Sequence, residues 1–354
     1  MRDPEWLRGY FDGQTQDLCF YSVHEDNRLC GLAPFLRKEW PMQWHLGPWA
    51  VAEFPLVRLR LLGIGLDFPA TEAAYDLLFR ELAQADKSFD AVYLEEIPLD
   101  SFLWNYLHQS ELIRKMFLLY QPKPPAPRPV LRVEGTFQQY MGKFNSKHRN
   151  TINRKIKKLR DGALGEMRLV RYESAAEAAL FLEQAIEISR KTYQWARYGR
   201  GLSAVDKVRK RLMFAAEHGW MRSYLLFCGG EARAFLLGFQ YGGRFVLDEM
   251  GFDPDLAMYS VGTVLQMLTV EDLFLHNRPH VFDLQDYGAY KEVLSTDSYL
   301  EGKLFLFRPG AYARLLRTGH RGCALIDRTV SSVLDCFKLK AKLRQKVRGW
   351  GATQ

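Results

Sequence analysis

The segment from Gly251 to Lys291 constrains the fold of this chain more than any other segment. It reads as the end of a strand, a helix that starts near Ser260, and a second strand at residues 281–284. Apolar residues after Ser260 fall on one helical stripe, and the apolar run that follows Pro279 is typical of a short buried strand. A strand, a helix and a strand in this order are typical of a cofactor-binding arrangement.

The start of this helix is predicted to bind an anion. Ser260 is expected to cap the helix, and small residues occupy its first turn. The first N–H groups of a helix have no partner inside it and point out of its N-terminus, where a phosphate can accept them. The cofactor-binding residues predicted here are Ser260, Val261, Gly262 and Thr263.

A strongly basic helix is predicted between residues 143 and 160, with no acidic residue before Asp161. Its basic residues are Lys143, Lys147, Arg149, Arg154, Lys155, Lys157, Lys158 and Arg160. Repulsion among them opposes the helix unless anions or neighbouring carboxylates offset it. For most of them a solvated helix face is the simpler interpretation. Lys147 and Arg149 stand at the helix start, and we predict that these two bind a phosphate or carboxylate of the cofactor.

These segments resemble the second half of the acetyltransferase domain of the GNAT superfamily. The similarity is to the branch that includes CelD-like proteins of cellulose biosynthesis and, more distantly, the FemABX aminoacyltransferases. It rests on Gly251-Phe252-Asp253-Pro254, Tyr259-Ser260-x-Gly262-Thr263, Phe282-Asp283-Leu284, Gly288-x-Tyr290-Lys291 and the run 145–150, and it extends from about residue 130 to 307. The resemblance implies acyl-CoA, such as acetyl-CoA, as the donor, and no metal. The superfamily's pyrophosphate signature is absent from the 251–291 block. The run Arg60-Leu61-Leu62-Gly63-Ile64-Gly65 fits it literally, but it lies in the first half and is interpreted as a coincidence.

The chain is predicted to fold as two lobes. Its 354 residues suggest about two domains, and the proline-rich stretch 121–129 divides them. Each half contains two strands around a polar turn, at 18–36 and 223–240. With the resemblance, this predicts an α/β (α+β) fold of tandem GNAT-like lobes with mixed central sheets and a C-terminal helix. The expected parts are a degenerate, acceptor-side lobe at 1–120, a linker at 121–129, a donor-binding catalytic lobe at 130–310 and a basic helical tail at 311–354.

Two adjacent carboxylates are the candidates for a general base. Asp248 and Glu249 follow an apolar strand and directly precede the Gly251 block. Acyl transfer to an amine requires removal of the ammonium proton, and a carboxylate beside a partly dry cleft has its pKa raised toward that task. Adjacent strand residues face opposite sides, so one of the two is expected in the cleft, with Glu249 as first choice. The alternative is that one carboxylate pairs with a basic residue while the other is solvated.

Further site residues follow the second strand or end an earlier helix. Lys291 is predicted to hold a phosphate or to polarise the reacting carbonyl. Asp283 is expected either to pair with a substrate amine or to form an ion pair with Lys291. The resemblance implies that aromatic side chains lie near the acceptor. Aromatic residues at the end of a helix are, by themselves, more typical of a hydrophobic core. The predicted substrate-binding set is Trp195, Tyr198, Asp283, Tyr287 and Tyr290.

Composition limits the partners and the compartment. A net charge of +8 favours anionic partners, namely CoA phosphates, tRNA, nucleotide-linked sugars or an anionic membrane surface. The cysteines number 5 and include no C-x-x-C pair, so neither a disulfide framework nor a zinc site is predicted. No apolar run reaches the length of a membrane span. We therefore expect a soluble cytoplasmic protein, peripheral at most at the inner membrane surface through its basic C-terminal helix.

Three functions remain open at this level. The first is acyl transfer from acyl-CoA to an amine or hydroxyl of a small-molecule, glycan or peptide acceptor of the cell envelope or of polysaccharide synthesis. The second is a FemABX-like transfer from aminoacyl-tRNA, with the tRNA on the basic helix at 143–160. The third is a non-catalytic protein whose basic helices bind membrane or nucleic acid.

Overall fold

A computed structural model describes residues 17–47, 49–63, 65–84, 88–162, 165–192, 202, 205–285 and 288–336. The described residues form two compact units. The flanking unit comprises residues 17–126 together with residues 300–336, and the central unit comprises Pro127–Tyr299.

The strands are β1 (Leu18–Glu25), β2 (Arg28–Glu39), β3 (Met42–Leu46), β4 (Trp49–Phe54), β5 (Val57–Leu61), β6 (Ala91–Pro98), β7 (Leu118–Tyr120), β8 (Ala126–Arg132), β9 (Met167–Tyr172), β10 (Ser223–Cys228), β11 (Glu231–Tyr241), β12 (Arg244–Phe252), β13 (Val281–Asp283) and β14 (Asp297–Phe307). The helices are α1 (Glu72–Gln84), α2 (Phe102–Gln109), α3 (Glu111–Met116), α4 (Phe137–Gly142), α5 (Ser146–Arg160), α6 (Ala175–Lys191), α7 (Val205–Glu217), α8 (Val261–Leu275), α9 (Ala289–Leu294) and α10 (Ala311–Cys336), with a 3₁₀ helix at Pro254–Tyr259.

The central unit is a six-stranded mixed sheet in the order β8-β13-β12-β11-β10-β9. Only β12 and β13 run parallel among these described strands. Helix α8 connects them and packs with α4 and α5 on one face, where the core includes Tyr140, Ile152 and Val264. Helix α6 packs on the other face. The predicted strand, helix and strand at 251–291 therefore form a βαβ connection inside a sheet covered on both faces.

The flanking unit repeats this connection. Its sheet has the order β1-β2-β5-β6-β14, with β7 also on β14, and the parallel pair β5 and β6 is joined by α1. Arg60 and Leu61 are the last two residues of β5, and Gly63 and Gly65, which follow the strand, have positive φ angles of 82° and 71°. Arg60 pairs with Glu95 on β6. The mixed α/β class with two similar sheets agrees with the sequence prediction.

The boundaries between the two units differ from the domain boundaries that the sequence predicted. Strand β14 pairs with β6 and β7, and α10 buries Ala313 and Leu316 in a cluster with Met42. Residues 300–310 therefore belong with the flanking unit and not with the donor lobe, and the first part of the supposed tail is a packed helix. Such long-range pairing leaves no local signal in the sequence.

The stretch 121–129 is not only a linker. Its end enters β8, whose Val130, Leu131 and Arg132 pair with β13. Pro127 and Pro129 precede those paired residues, so their missing N–H groups do not interrupt this ladder.

Among the described residues, Cys19, Cys30, Cys228 and Cys323 form no disulfide bond. Among the described helices, none combines the length and the apolar character needed to cross a bilayer.

Candidate functional site

The sheet of the central unit opens into a notch between β12 and β13. These strands pair from Arg244 with Val281 to Val246 with Asp283. Strand β13 then ends, whereas β12 continues to Phe252. Beyond Val246, no described strand pairs with this side of β12. The backbone there forms an edge inside a sheet, and an extended ligand with amide groups can add along such an edge.

A β-bulge lies at this notch. On β11, Leu237 pairs with Glu249 and Gly238 pairs with Leu247, so Asp248 is the extra residue. The bulge brings both carboxyls into the range of Arg211 on α7. A bulge relaxes the alternation of a regular strand, and the expectation that these two adjacent residues face opposite sides stays a prediction.

The two carboxylates have different environments. Asp248 forms an ion pair with Arg211, whose Nη1 lies 3.4 Å from Oδ1 of Asp248. The carboxyl of Glu249 has no hydrogen bond or ion pair with any described residue. Burial, and then the charge of Asp248, raise the pKa of Glu249 to about 7 against the opposing effect of Arg211. Glu249 can therefore gain or lose a proton near neutral pH.

The loop after β12 is fixed by a buried carboxylate. Asp253 is 1% exposed, and its Oδ2 accepts hydrogen bonds from Lys191 at 3.2 Å and Arg233 at 3.1 Å. Its Oδ1 accepts the N–H of Asp255 at the start of the 3₁₀ helix. Although burial raises its pKa, these bonds hold the pKa of Asp253 below the usual value. Sequence reasoning gave this residue no role, although Asp followed by Pro is a helix-start signal.

Three backbone N–H groups at the start of α8 are open. Those of Val261, Gly262 and Thr263 have no hydrogen-bond partner among the described residues. Ser260 precedes them with φ 57° and ψ 38°, and its side chain makes no capping bond. The predicted serine cap is therefore wrong, because a cap side chain reaches the helix from extended backbone and this residue is left-handed. The open N–H groups remain suited to an anion.

The glycine at this helix start is sterically required. A Cβ on Gly262 would lie 2.9 Å from Cδ1 of Phe252, at the end of β12. This contact holds the start of α8 close against the strand that carries the two carboxylates.

The basic helix α5 approaches this loop with its C-terminal end. Nζ of Lys158 donates to the carbonyl of Met258 at 3.1 Å and lies 5.1 Å from the ring centroid of Tyr259. Lys147 and Arg149 stand at the other end of α5, roughly 16 and 14 Å from Lys158 along the helix axis. Arg149 donates to the carbonyl of Phe144, so its guanidinium closes the turn before α5. The structure thus brings Lys158 to the 3₁₀ helix that directly precedes α8, a contact that sequence reasoning missed.

Lys143 does not belong to the basic helix. It ends α4, and its Nζ donates to the carbonyls of Leu294 at 2.7 Å and Ser295 at 2.6 Å. Burial lowers the pKa of Lys143 to about 8. This lysine ties α4 to the end of α9.

The side chain of Asp283 has a structural role. Arg128 binds both its oxygens, at 3.0 and 2.9 Å, and Arg244 lies 2.9 Å from Oδ2. The N–H of Gln285 adds a fourth bond. Because these bonds occupy the buried carboxylate, it links β8, β12 and β13, and the predicted contact with a substrate amine or with Lys291 is replaced by these partners.

The remaining predicted residues are only partly placed. Lys291 is half-buried in α9, which begins after Gly288, so it lies in a helix and does not directly follow a strand. Tyr290 lies in the same helix. Trp195, Tyr198 and Tyr287 lie outside the described residues.

Comparisons with known proteins agree with this geometry. Residues 146–291 match the acetyltransferase (GNAT) domain family. The match runs from α5 to α9 and includes the bulge, the notch and the start of α8. Over this segment the chain is similar to GNAT-type acetyltransferase domains.

Solved structures of similar fold cover both units. FemX superposes with a TM-score of 0.61 at 11% identity, over 88% of this chain and 93% of that one. The C-terminal domain of a putative lysylphosphatidylglycerol synthetase from Agrobacterium fabrum gives 0.55 at 13% identity, over 92% and 90%. L-PGS from Bacillus licheniformis gives 0.52 at 13% identity, over 90% and 96%. At these identities the likeness shows a tandem GNAT-type fold.

One curated relative is longer. The RNA polymerase-associated protein RapA of Vibrio atlanticus (strain LGP32) is 25% identical over 205 residues, which are 56% of this chain but only 20% of that protein. The chain thus matches a fifth of the length of this relative.

Proposed function

We propose that the central unit transfers an acyl group from acyl-CoA to an amine by direct attack, with Glu249 as the general base. The observation that carries the proposal is the carboxyl of Glu249. It has no described partner, its pKa is raised to about 7, and it lies on a bulge beside a notch in the sheet of a GNAT-type domain.

The donor would bind along β12 and at the start of α8. The open N–H groups of Val261, Gly262 and Thr263 suit a CoA phosphate, and Lys158 adds positive charge beside the same loop. The unpaired edge of β12 suits the amide groups of an extended donor arm. Together these groups would direct the thioester toward the bulge.

The chemistry then needs one proton transfer to the protein. The carboxylate of Glu249 accepts a proton from the acceptor's ammonium group, and the neutral amine attacks the thioester carbonyl. The tetrahedral intermediate collapses with cleavage of the C–S bond. The thiolate leaves and takes up the proton that the attacking nitrogen still carries, which gives the amide and free CoA, and Glu249 then releases its proton to solvent. With a hydroxyl acceptor, Glu249 would take the hydroxyl proton during the attack and pass it to the leaving thiolate, which gives an ester and free CoA.

The acceptor class proposed is a cell-envelope or polysaccharide precursor, as the CelD-like resemblance suggests. Fold neighbours named FemX and lysylphosphatidylglycerol synthetase support an envelope acceptor by analogy.

The test has two stages. Calorimetric titration with acetyl-CoA and with charged tRNA identifies the donor, and a thiol-release assay with amino sugars, peptides and lipid amines then searches for the acceptor. We expect binding of acetyl-CoA and thiol release that depends on the acceptor and on Glu249. Failure of acetyl-CoA to bind would remove the proposal.

A second candidate is transfer from aminoacyl-tRNA. It is favoured by the exposed basic side chains of α5, namely Lys147, Arg154, Lys157, Lys158 and Arg160. Binding of charged tRNA without binding of acetyl-CoA in the same titration would select this function.

A further inference from the structure

One side of helix α8 faces the strand that borders the notch. Gly262, Gln266 and Thr269 follow one another at intervals of four and three residues, so they lie on one helical stripe. A Cβ on Gly262 would lie 2.9 Å from Cδ1 of Phe252, which places this stripe against β12. Gln266 and Thr269 therefore point from α8 toward the sheet.

Both of these polar side chains are buried without a partner. Gln266 is 7% exposed and Thr269 is 0% exposed. Neither side chain makes a hydrogen bond with a described residue, and Oγ1 of Thr269 is itself buried. Burying a polar group without a hydrogen bond is costly, so an unpaired group in a folded protein calls for an explanation such as a ligand or a water molecule.

Gln240 in the same unit shows how a glutamine is satisfied by the chain itself. Its Oε1 accepts from Arg222 at 2.6 Å, and its Nε2 donates to the carbonyl of Asn277 at 2.7 Å. Gln266 offers the same acceptor and the same donor, and among the described residues it uses neither.

The position of Gln266 relates it to the two other parts of the site. It follows Gly262 by four residues, which is about 6 Å along the helix axis from the open N–H groups. Leu247, Met250 and Phe252, on the unpaired stretch of β12, pack against the hydrophobic cluster that contains α8. A ligand with a phosphate at the helix start and an arm along this edge therefore passes Gln266.

We propose that Gln266 binds an amide of the pantetheine arm of acyl-CoA, an inference that rests on the acyl transfer proposed above. A secondary amide has one N–H donor and one carbonyl acceptor, and the carboxamide of Gln266 has the matching acceptor and donor. The arm of CoA carries such amides between its phosphates and its thiol. The end of a charged tRNA carries phosphates, riboses and bases instead, so Gln266 favours acyl-CoA as the donor.

The experiment makes one substitution at two glutamines. Gln266→Met keeps the length of the side chain and removes its polar groups, and Gln240→Met is the matched control at a glutamine that has partners. Calorimetry compares acetyl-CoA with adenosine 3′,5′-bisphosphate, which has phosphates but no arm. We expect Gln266→Met to weaken acetyl-CoA binding roughly tenfold and to leave bisphosphate binding within about twofold of the wild type.

Urea unfolding of the free protein separates binding from a structural role. The midpoint of Gln266→Met should equal or exceed that of the wild type, because a buried amide without a partner is removed. The midpoint of Gln240→Met should fall, because Arg222 and the carbonyl of Asn277 each lose a partner. A fall of similar size in Gln266→Met would overturn the proposal, since the side chain would then be a structural one.

The binding data can overturn the inference while the acyl transfer stands. Unchanged affinity of Gln266→Met for acetyl-CoA would do so, and so would an equal loss for both ligands, because Gln266 would then act on the helix start and not on the arm. Charged tRNA that binds more weakly to Gln266→Met would assign the side chain to the other donor. A wild type that binds no acetyl-CoA would remove the acyl transfer and this inference together.

Discussion

At the scale of single residues, the adjacent carboxylates of Asp248 and Glu249 differ in their partners and in their pKa. Asp248 is neutralised by Arg211, whereas Glu249 has a pKa raised to about 7. We expect Glu249→Gln to lower kcat by roughly 10²–10⁴-fold, because the amide cannot accept the proton. In the wild type, kcat/KM should rise with pH through about 7, since the base acts when deprotonated. The variant should lose this inflection while acetyl-CoA affinity stays unchanged. A variant with the same inflection would place the base elsewhere.

Two neighbours of Glu249 should move its pKa in opposite directions. The charge of Arg211 lowers the pKa of Glu249, and the charge of Asp248 raises it. Arg211→Met should therefore shift the kinetic inflection to higher pH, and Asp248→Asn should shift it to lower pH. The pH dependence of kcat/KM measures both. Shifts of the same sign would mean that the inflection belongs to another group.

The sequence made Glu249 the first candidate for the general base, but it did not predict the groups that raise its pKa. Its position before the Gly251 block was visible, whereas the bulge depends on the register with β11. Arg211 precedes Asp248 by 37 residues, and Arg128 precedes Asp283 by 155. Ion pairs across such separations leave no periodic pattern, so Asp283 was predicted to pair with a substrate amine or with Lys291 and not with Arg128. Local signals reach as far as a helix start or a strand end.

At the scale of elements, the start of α8 depends on a glycine and not on a serine cap. A methyl group at Gly262 would contact Phe252, so we expect Gly262→Ala to lower the free energy of unfolding by about 1–3 kcal/mol and to weaken acetyl-CoA binding. Gly142→Ala is the matched control, since a Cβ added there would meet no atom within 4 Å. Urea unfolding and calorimetry measure the two effects. Equal effects at both glycines would contradict the close contact.

The three strands β8, β12 and β13 are joined by one buried ion cluster. Removing the charge of Asp283 leaves Arg128 buried without its partner, so Asp283→Asn should destabilise the protein by about 3–5 kcal/mol. Asp297 pairs with Arg132 where both are about half exposed, so Asp297→Asn should cost about 0–1 kcal/mol. Denaturant unfolding of the two variants tests the contrast. Similar losses would show that the buried cluster is not a structural link.

At the scale of the whole molecule, the sequence predicted two similar lobes but not where the chain crosses between them. The hairpins, the proline-rich stretch and the strand–helix–strand blocks are local patterns, and they gave the α/β class. Strand β14 was assigned to the wrong unit because its partners β6 and β7 lie far away in sequence. The apolar alternation of a strand specifies which face is buried, but it does not specify which sheet it joins.

Acid should act on the two units differently. The described carboxylates with a lowered pKa are Glu177, Asp253, Asp272, Asp283 and Asp297, and all lie in the central unit. A lowered pKa means that the native state binds fewer protons than the unfolded state. The stability gained is present above the unfolded pKa of about 4 and is lost as the pH falls through the native values.

Glu249 has the opposite effect on stability, because its raised pKa makes the central unit gain stability as the pH falls from about 7 toward 4.5. Burial lowers the pKa of His320, so the flanking unit loses stability as the pH falls below the ordinary value of histidine. Below about pH 4 we expect the five carboxylates to reduce the stability of the central unit further. Pulsed hydrogen exchange after equilibration in acid, read by mass spectrometry, assigns the loss to peptides of each unit. A loss of protection below about pH 4 that is confined to residues 17–126 would contradict this expectation, and Asp283→Asn should bring the central transition to higher pH than Asp297→Asn does.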